Sequence, residues 1–516
     1  MRSAPHLDLI AGIALVAAGV TVAIPAAPPS PGVEMRAVQL TAGEATDATG
    51  PTIGLVMGAS GVPIPGPDYV DAADGLYVDN PLHPIYPGTA YPGVLADGVF
   101  TPEGLYPLTG VKVLPFNYPL DPDGLPAQST SVGQGMAILG SNIQSTIAAG
   151  DTATVFGYSQ SATISGLVMQ QLDPAGTPSD LPVQFVLVGD PNAPNGGLLE
   201  RFNGYETSSG QVHALPLNIP SLGTSFDGAT PADDFQTSIY TLEYDGFADF
   251  PRYPLNLLAD LNAFLGIEKI HVTYLNGGVD GSGPTAGQIA NATLLPGSED
   301  STADPCADCL TNYYLIPQTA PLVTLLSSIP VIGKPLADLL GPDLTDLINL
   351  GYGADNLGYS DAPADVPTPF GLVPDVNPAT VFTELVTGAR QGLQAFESDL
   401  SDPSALVSSA ALTSATDAAP VALPSLTDIV NAISSAASSA YTTLLPTADI
   451  LNSLATTMPA YETALFLDNL QTGDLLDAFG LPVAADTALA TIAVGDEFAV
   501  LENAAQAIAA DFSGLF

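Results

Sequence analysis

The chain has 516 residues, of which 8 are Lys or Arg and 54 are Asp or Glu, so its formal net charge is −46. That acidity excludes a nucleic-acid partner, whose phosphates need clustered Lys and Arg, and it excludes anchoring by charge to anionic lipid. Hydrophobic residues make up 46% of the chain and charged residues 12%, so it can bury a core and is not an acidic disordered protein. At roughly 150 residues per domain, the length predicts about three structural units.

Residues 1–35 have the pattern of a signal peptide or an N-terminal membrane anchor. Arg2 precedes an apolar run at 9–23, which small residues and prolines follow, as in an export signal. A slightly longer run would span a membrane, so a cleaved signal and an uncleaved anchor both stay open, beside a buried helix. The chain is therefore predicted to be exported, either secreted or held at the cell envelope. Export would permit a disulfide between Cys306 and Cys309, its two cysteines.

From residue 52 to about 274, short apolar runs alternate with longer stretches of helical periodicity. Apolar runs bounded by Gly or Pro are typical of strands that are buried on both faces of a parallel sheet. The predicted strands are 52–57, 111–116, 153–156, 183–188 and 238–244. The predicted helices between or after them are 131–149, 162–172 and 255–265. This alternation predicts an α/β fold with a doubly wound, mostly parallel sheet.

Two further regions differ in composition from this alternating core. Residues 191–236 form a Gly-, Pro- and Ser-rich insertion, of the kind that often forms a lid or binds substrate. Residues 375–516 are Ala-rich with helical stripes, and 391–516 contain no Lys, Arg or His. We interpret this C-terminal part as a helical accessory or packing region with no visible chemistry.

The segment 157–161, Gly-Tyr-Ser-Gln-Ser, follows a predicted strand and opens a predicted helix. A Gly-x-Ser-x-Gly elbow in that position exposes a nucleophilic Ser above the sheet, which points to Ser159. The last position is Ser161 rather than Gly, so the motif is degenerate. The alternative is that Ser159 merely caps the helix.

A serine nucleophile needs a base, and the chain has four histidines to supply it: His6, His83, His213 and His271. The α/β-hydrolase order is Ser, acid, His, and His271 alone leaves room for an acid after the fifth predicted strand. The alternative is an ordinary loop histidine that is hydrogen-bonded to backbone.

The acid should lie just beyond a strand end, and the segment 244–251 offers two candidates there. Asp249 is preferred, because a turn at Gly246 would carry its carboxylate toward His271. Asp245 is the rival and could instead cap the turn. Asp190, after the fourth predicted strand, is a third choice, with turn chemistry as its alternative.

An oxyanion hole needs two donors that meet the developing negative charge. The backbone N–H of Gln160 follows the nucleophile and is the first candidate. The second is Ser60, through its N–H or its hydroxyl, in the small-residue segment 58–61 after the first strand. The alternative is an ordinary Gly-rich turn.

Four segments together resemble the PE-PPE domain family of actinobacterial serine hydrolases: 55–61 (Leu-Val-Met-Gly-Ala-Ser-Gly), 157–161, 244–251 (Tyr-Asp-Gly-Phe-Ala-Asp-Phe-Pro) and 271–274 (His-Val-Thr-Tyr). The resemblance implies a cutinase-like α/β-hydrolase domain over 48–374, with its core at 52–276. It also implies that Ser is tolerated at position 161, and that a Ser–Asp–His triad acts on carboxylic esters. Some relatives in this family are thought to be acyltransferases that build envelope glycolipids.

The sequence therefore predicts an exported serine hydrolase that cleaves acyl or lipid esters. One alternative is an acyltransferase that moves acyl chains to the sugar of an envelope glycolipid, such as trehalose. A second is a non-catalytic lipid-binding protein of the envelope. The mechanism needs no metal or cofactor, and the sequence indicates no site for one. Association with a membrane or the cell envelope remains open, as does the oligomeric state.

Overall fold

The computed structural model describes residues 50–79, 95–110, 112–278, 282–302, 306, 309–329, 332–401 and 425–513. The predicted signal or anchor at 1–35 lies outside these ranges, as does His83, so the prediction of export stays a prediction.

Eleven strands lie in the described residues: β1 Thr52–Met57, β2 Leu95–Val99, β3 Thr152–Tyr158, β4 Val183–Val188, β5 Gly204–Glu206, β6 Val212–Ala214, β7 Asn218–Ile219, β8 Thr224–Ser225, β9 Thr237–Leu242, β10 Thr293–Leu294 and β11 Thr311–Ile316. Seven of them form the central sheet, in the order β10-β11-β9-β4-β3-β1-β2. Every pair in it is parallel except β10 with β11. The predicted α/β class with a mostly parallel sheet is therefore confirmed.

Four of the five predicted strands are present, but the strand predicted at 111–116 is wrong. Residues 112–116 form turns and bends. Pro115 has no N–H for a sheet ladder. The carbonyls of Pro115 and Phe116 instead accept the N–H groups of Ser131 and Val132 at 2.8 and 2.9 Å. The segment thus satisfies the first turn of the following helix and does not join the sheet.

Three strands of the sheet, β2, β10 and β11, were not predicted from the sequence. β2 is a short edge strand whose Leu95 side chain is 62% exposed, so it lacks the apolar run that marks buried strands. β11 follows a Pro- and Gly-rich stretch and pairs with β9. The sheet therefore continues beyond the predicted core of 52–276.

Thirteen α-helices accompany the strands in the described part of the chain: α1 Pro67–Ala73, α2 Ser131–Ala148, α3 Gln160–Leu172, α4 Leu198–Arg201, α5 Leu257–Lys269, α6 Ala286–Ala290, α7 Pro321–Ser327, α8 Gly333–Asn349, α9 Pro378–Ser401, α10 Leu426–Tyr441, α11 Leu444–Asn452, α12 Met458–Thr472 and α13 Leu475–Ser513. Two of the core helices, α2 and α5, begin after a residue whose side chain accepts a backbone N–H of the first turn. Thr130 accepts the N–H of Gly133 before α2, and Asn256 accepts that of Ala259 before α5, as polar N-cap residues do.

The sheet buries both faces, because successive side chains of each strand point to opposite sides. Val155 belongs to an apolar cluster with residues of α2, α3, α12 and α13. Phe156 belongs to a second cluster with residues of α1, α5 and α8. The domain therefore has three layers, helices on sheet on helices.

The insertion at 191–236 folds into α4 and two small antiparallel ribbons, β5 with β6 and β7 with β8. Arg201, the last residue of α4, is fully buried and donates to the carbonyl of Phe250 at 3.0 Å and to the carbonyl of Thr368. A buried guanidinium is costly unless its donors are satisfied. Its hydrogen bonds join the insertion to the loop that follows β9 and to the segment near residue 368.

By length and composition alone, α13 could cross a membrane, and 44% of its most apolar window is buried in the fold. Leu481 and Ala485 on α13 are fully buried in the same apolar cluster as Val155. The helix therefore contributes to the packed core of the protein.

We expect Gly266→Ala in α5 to destabilise the protein by about 1–3 kcal/mol, the usual cost of forced overpacking. A Cβ at Gly266 would lie 1.8 Å from the carbonyl oxygen of Tyr244, a backbone atom that cannot swing aside. The matched control is Gly140→Ala in α2, where nothing lies within 4 Å of the added Cβ. Ala favours a helix over Gly by up to about 1 kcal/mol, so the control should be neutral or stabilising. Denaturant unfolding of both variants measures this, and equal effects would contradict the packing argument.

Candidate active site

The site lies where the strand order reverses. The chain places β2 on one side of β1 and β3 on the other. In open α/β sheets, the crevice for a ligand opens at the carboxyl ends of the two strands that flank such a reversal. Ser60 follows β1 and Ser159 follows β3, so the reversal brings these two residues of the sequence prediction to one crevice.

The turn between β3 and α3 has the geometry of a nucleophile elbow. Ser159 has φ 59° and ψ −119°, a strained conformation for a residue other than glycine. A Cβ on Gly157 would lie 2.7 Å from the carbonyl oxygen of Ser161, so the expected close approach of strand and helix is present. The Ser161 hydroxyl accepts the N–H of Tyr158 at 2.8 Å and donates to the Tyr158 carbonyl at 3.1 Å. Ser161 thus braces the turn where a Gly usually stands.

Ser159, His271 and Asp245 form an unbroken chain of hydrogen bonds. The Nε2 atom of His271 lies 2.8 Å from the Ser159 hydroxyl oxygen. Its Nδ1 atom lies 2.8 and 2.9 Å from the two carboxylate oxygens of Asp245. His271 lies on a 3-10 turn directly after α5, and all three side chains are buried. This arrangement can take a proton from the hydroxyl and stabilise the resulting imidazolium.

The expectation that Asp249 faces His271 is wrong, because the loop uses its two aspartates in the opposite way. The Asp249 carboxylate accepts the backbone N–H of Tyr244 at 2.8 Å. Tyr244 has φ 67°, and this left-handed residue turns the chain so that Asp245 meets the imidazole. Burial raises the pKa of Asp249 well above its usual range. Asp249 therefore pins the turn, the role that the sequence analysis considered for Asp245.

Asp190, the third candidate acid, is used in turn chemistry. Its carboxylate accepts the N–H of Asn192 at 3.0 Å and the hydroxyl of Thr230 at 2.7 Å. Burial raises its pKa to about 6. These bonds hold the start of the insertion.

Three aromatic residues that sequence reasoning missed support the His–Asp pair. Tyr274 donates its hydroxyl to Asp245 at 2.8 Å, and Tyr158 donates its hydroxyl to the backbone carbonyl of His271. The ring of Phe247 packs edge-to-face on the imidazole, with centroids 4.8 Å apart. All three lie within three residues of a predicted site residue, so their proximity in sequence was the available signal.

The two predicted oxyanion donors lie side by side. Gln160 is the first residue of α3, so its N–H has no acceptor within the helix. Its side-chain amide donates to the Ser60 hydroxyl oxygen and to the Gly104 carbonyl, both at 3.1 Å. The amide oxygen accepts the Ser131 hydroxyl at 2.6 Å. Because the Ser60 oxygen accepts this bond, its own proton is available to donate into the crevice.

A buried carboxyl, that of Glu103, lies next to the loop that follows β1. The carbonyl of Glu103 accepts the N–H of Gly61 at 2.7 Å, and Glu103 has φ 50°. Its side chain is 1% exposed and accepts the hydroxyl of Thr101. Burial raises the pKa of Glu103 to about 8, against the opposing effect of Thr101. Glu103 thus joins the loop after β2 to the loop after β1.

An apolar cavity of about 110 Å³ begins at Ser159, Gln160 and Ser60. The loop at 105–108, the insertion, Phe247 and the C-terminal helices all contribute to its wall. Representative lining residues are Leu105, Phe116, Leu199, Ile219 and Phe226. Such a cavity suits an apolar substrate with one polar group at the nucleophile.

Within the described ranges, no group of three or more His, Cys, Asp or Glu side chains is arranged to hold a metal ion. Cys306 and Cys309 are joined as a disulfide.

A family model described as the PE-PPE domain matches residues 92–353. The uncharacterized PPE family protein PPE28 of Mycobacterium tuberculosis (strain ATCC 25618 / H37Rv) is 40% identical over 97% of this chain and 72% of its own length. The esterase PE16 of the same organism and strain is 40% identical over 62% of this chain and 51% of its own length. The PE family protein PE3, also of that strain, is 37% identical over 67% of this chain and 63% of its own length. The chain thus spans only about half the length of the esterase.

We expect Glu103→Gln to stabilise the protein more at high pH than at low pH. The pKa of this carboxyl is about 8 in the folded protein and about 4.3 in the unfolded chain. Its contribution to the free energy of unfolding is therefore complete only below about pH 4.3, where the carboxyl is protonated in both states. That contribution is lost as pH rises through about 8. Gln resembles the protonated form at every pH and can still accept the Thr101 hydroxyl.

Thermal melting of wild type and variant near pH 5 and pH 8.5 tests this. The difference in Tm, variant minus wild type, should be larger at the higher pH. Glu502→Gln, at an exposed position of α13, is the control and should show no such change. A Tm difference between variant and wild type that is equal at the two pH values would refute the raised pKa of Glu103.

Proposed function

Because the chain belongs to the PE-PPE domain family, we propose that it is a serine esterase that cleaves carboxylic esters of acyl chains or lipids. The similarity to a protein named as an esterase, PE16, supports this class of reaction. Export to the cell envelope or beyond is part of the proposal. The apolar run at 9–23 and the Cys306–Cys309 disulfide support it, because disulfides persist in oxidising compartments.

One observation carries the proposal: a hydrogen-bonded chain from Asp245 through His271 to Ser159 ends at the mouth of an apolar cavity. A helix-capping serine would need no histidine at its hydroxyl. A cavity for lipid binding alone would need no strained serine at its mouth. Nucleophile, base and orienting acid together are what acyl transfer requires.

In the proposed reaction, the Ser159 oxygen attacks the ester carbonyl carbon while His271 Nε2 takes the hydroxyl proton. Asp245 holds the Nδ1–H and stabilises the imidazolium. The tetrahedral intermediate collapses, the bond to the alcohol oxygen breaks, and His271 returns its proton to the departing alcohol. An acyl-serine ester remains.

The negative oxygen of the tetrahedral intermediate is proposed to bind to the N–H of Gln160 and the hydroxyl of Ser60. These donors are preorganised, because the Gln160 side chain fixes the Ser60 oxygen and is itself held by Ser131. Preorganised donors cost little reorganisation during the reaction and are each worth about 10²–10³ in kcat.

Water completes the proposed cycle. It loses a proton to His271, attacks the acyl carbon, and the free acid leaves as Ser159 regains its proton. An alcohol such as a sugar hydroxyl in place of this water would give the acyltransferase reaction through the same acyl-enzyme.

We expect a fluorophosphonate probe to label the full-length protein at Ser159, with the site located by mass spectrometry. His271→Ala should abolish labelling, because the hydroxyl then has no base. Ser159→Ala should abolish hydrolysis of p-nitrophenyl esters. A folded protein that is neither labelled nor active would support the lipid-binding alternative. An acylated disaccharide as the main product, when trehalose is supplied with an acyl donor, would support the transferase.

We expect Asp245→Asn to lower kcat by about 10⁴-fold, because the amide cannot hold the imidazole in the reactive tautomer. Asp249→Asn should retain most of the wild-type kcat. Burial raises the pKa of Asp249 and so favours its neutral form, and the side-chain oxygen of Asn can replace the carboxyl oxygen in accepting the Tyr244 N–H.

The two variants are matched controls for each other, since they lie four residues apart in one loop. Circular dichroism would establish that both are folded. A large loss of kcat in Asp249→Asn with retention in Asp245→Asn would reverse the assignment.

A further inference from the structure

The C-terminal helices build part of the wall of the catalytic cavity. Met458 of α12 and Leu489, Ile492, Ala493 and Asp496 of α13 line the same cavity as Ser159. The family model ends at residue 353, so this wall lies outside the matched domain. The C-terminal region therefore has a contact with the site that its composition did not reveal.

The lining residues of α13 form one stripe along the helix. Leu489, Ile492, Ala493 and Asp496 follow the spacing i, i+3, i+4 and i+7, which places them on one face. Val494 lies on another face and is 69% exposed. The cavity wall is thus one defined face of α13.

This face is held in place by apolar packing. Leu481, Ala484, Ala485 and Ala488 on α13 are all fully buried in the main core cluster. A Cβ on Gly480 would lie 2.8 Å from Leu372, and one on Gly495 would lie 2.0 Å from Phe264. Such close packing fixes the position of the helix relative to the sheet.

Two polar contacts add to this attachment. Asp449 of α11 accepts the hydroxyl of Tyr106 at 2.7 Å and the ammonium of Lys112 at 2.5 Å, and Tyr106 itself lines the cavity. Asp477 of α13 accepts the N–H and the hydroxyl of Ser208 in the insertion, both at 3.0 Å. The C-terminal helices are therefore joined to both segments that flank the cavity.

We propose that Ile492 and its neighbours on α13 determine which acyl chains the enzyme accepts, by forming one wall of the acyl-binding cavity. The inference rests on the esterase function proposed above and deepens it. It assigns a role in substrate selection to the C-terminal helical region, whose composition indicates only a packing role.

The cavity is assigned to the acyl chain rather than to the alcohol on chemical grounds. The alcohol must leave after the first step, whereas the acyl chain stays bonded to Ser159 until the second. An apolar wall next to the nucleophile suits the apolar chain that stays. At about 110 Å³, the cavity is smaller than one of about 150 Å³ that holds a benzene ring. Its small volume therefore limits the acyl chain to a few carbons.

The test measures kcat/KM of the full-length protein on p-nitrophenyl esters from acetate to dodecanoate. Ile492→Phe fills the cavity and should lower kcat/KM for the longest accepted ester by about tenfold relative to acetate, since a methylene in an apolar pocket is worth about 10–200-fold. Ile492→Ala enlarges the cavity and should extend the accepted chain by about two carbons. Val494→Phe and Val494→Ala, at the exposed position two residues on, are the matched controls and should leave the profile unchanged.

A second ester series separates the acyl group from the alcohol. With acetate as the constant acyl group and alcohols of increasing length, the Ile492 variants should behave as wild type. An unchanged acyl profile in both Ile492 variants, with a folded protein, would overturn the proposal. A change confined to the alcohol series would also overturn it, because the cavity would then hold the leaving group.

Fluorophosphonate labelling of Ser159 distinguishes failure of this inference from failure of the proposed function. An active, labelled wild type whose acyl profile ignores Ile492 refutes only the role of α13. A wild type that is neither labelled nor active on any ester refutes the esterase, and the inference falls with it. Ile492→Val, the smallest change, covers the case in which Ile492→Phe does not fold, and it should shift the profile in the same direction as Ile492→Ala.

Discussion

The hydrogen bond from the backbone N–H of Tyr244 to the buried carboxyl of Asp249 is the constraint on which the site depends. It holds Tyr244 at a positive φ, and that conformation directs Asp245 onto His271. A left-handed tyrosine is strained and persists only where its surroundings over-determine it. Close packing of Gly266 on the Tyr244 carbonyl supplies a second restraint from α5. The helix that leads to His271 thus also supports the turn that carries its partner.

Ser159 and the two proposed oxyanion donors, Gln160 and Ser60, depend on a comparable set of restraints. The Gln160 side chain links the helix after β3 to Ser60 after β1 and to Gly104 after β2. Three strand ends that are distant in sequence thereby become one rigid surface around Ser159. The side-chain amide of Gln160 is structural, while its backbone N–H is the proposed donor to the reacting oxygen. In the proposed mechanism, Gln160 therefore both supports the site and contacts the reacting oxygen.

The boundary that composition indicates near residue 375 does not separate the C-terminal helices from the α/β core in packing. Composition separates 375–516 from the α/β core, because the region is rich in Ala and, from residue 391 on, has no cation. Packing does not separate them, since Leu465 of α12 and Leu489 of α13 are buried in the same cluster as the sheet residue Val155. The absence of local cations is compensated by the core domain. Lys112 pairs with Asp449, and Lys334 pairs with Asp399 at the end of α9.

The sequence by itself determined the elements whose signals are local. Buried parallel strands are continuous apolar runs, and α2, α3 and α5 carry clear periodicity, so their positions and the α/β class could be predicted. The elbow at 157–161 and the choice of His271 were also readable, because they depend on spacing and order along the chain. The edge strand β2 and the Pro-containing segment at 112–116 were not, since sheet pairing and helix capping decided their conformation.

Only the tertiary structure decided which aspartate meets His271 and which C-terminal residues line the cavity. Asp245 and Asp249 lie four residues apart in one loop, and the backbone angle at Tyr244 selects between them. No local pattern encodes that angle, because it is held by contacts with α5 and with Asp249 itself. Likewise, the stripe on α13 is indistinguishable in sequence from ordinary core packing. Its place at the cavity depends on side chains more than 300 positions earlier in the chain, from Tyr106 to Ser159.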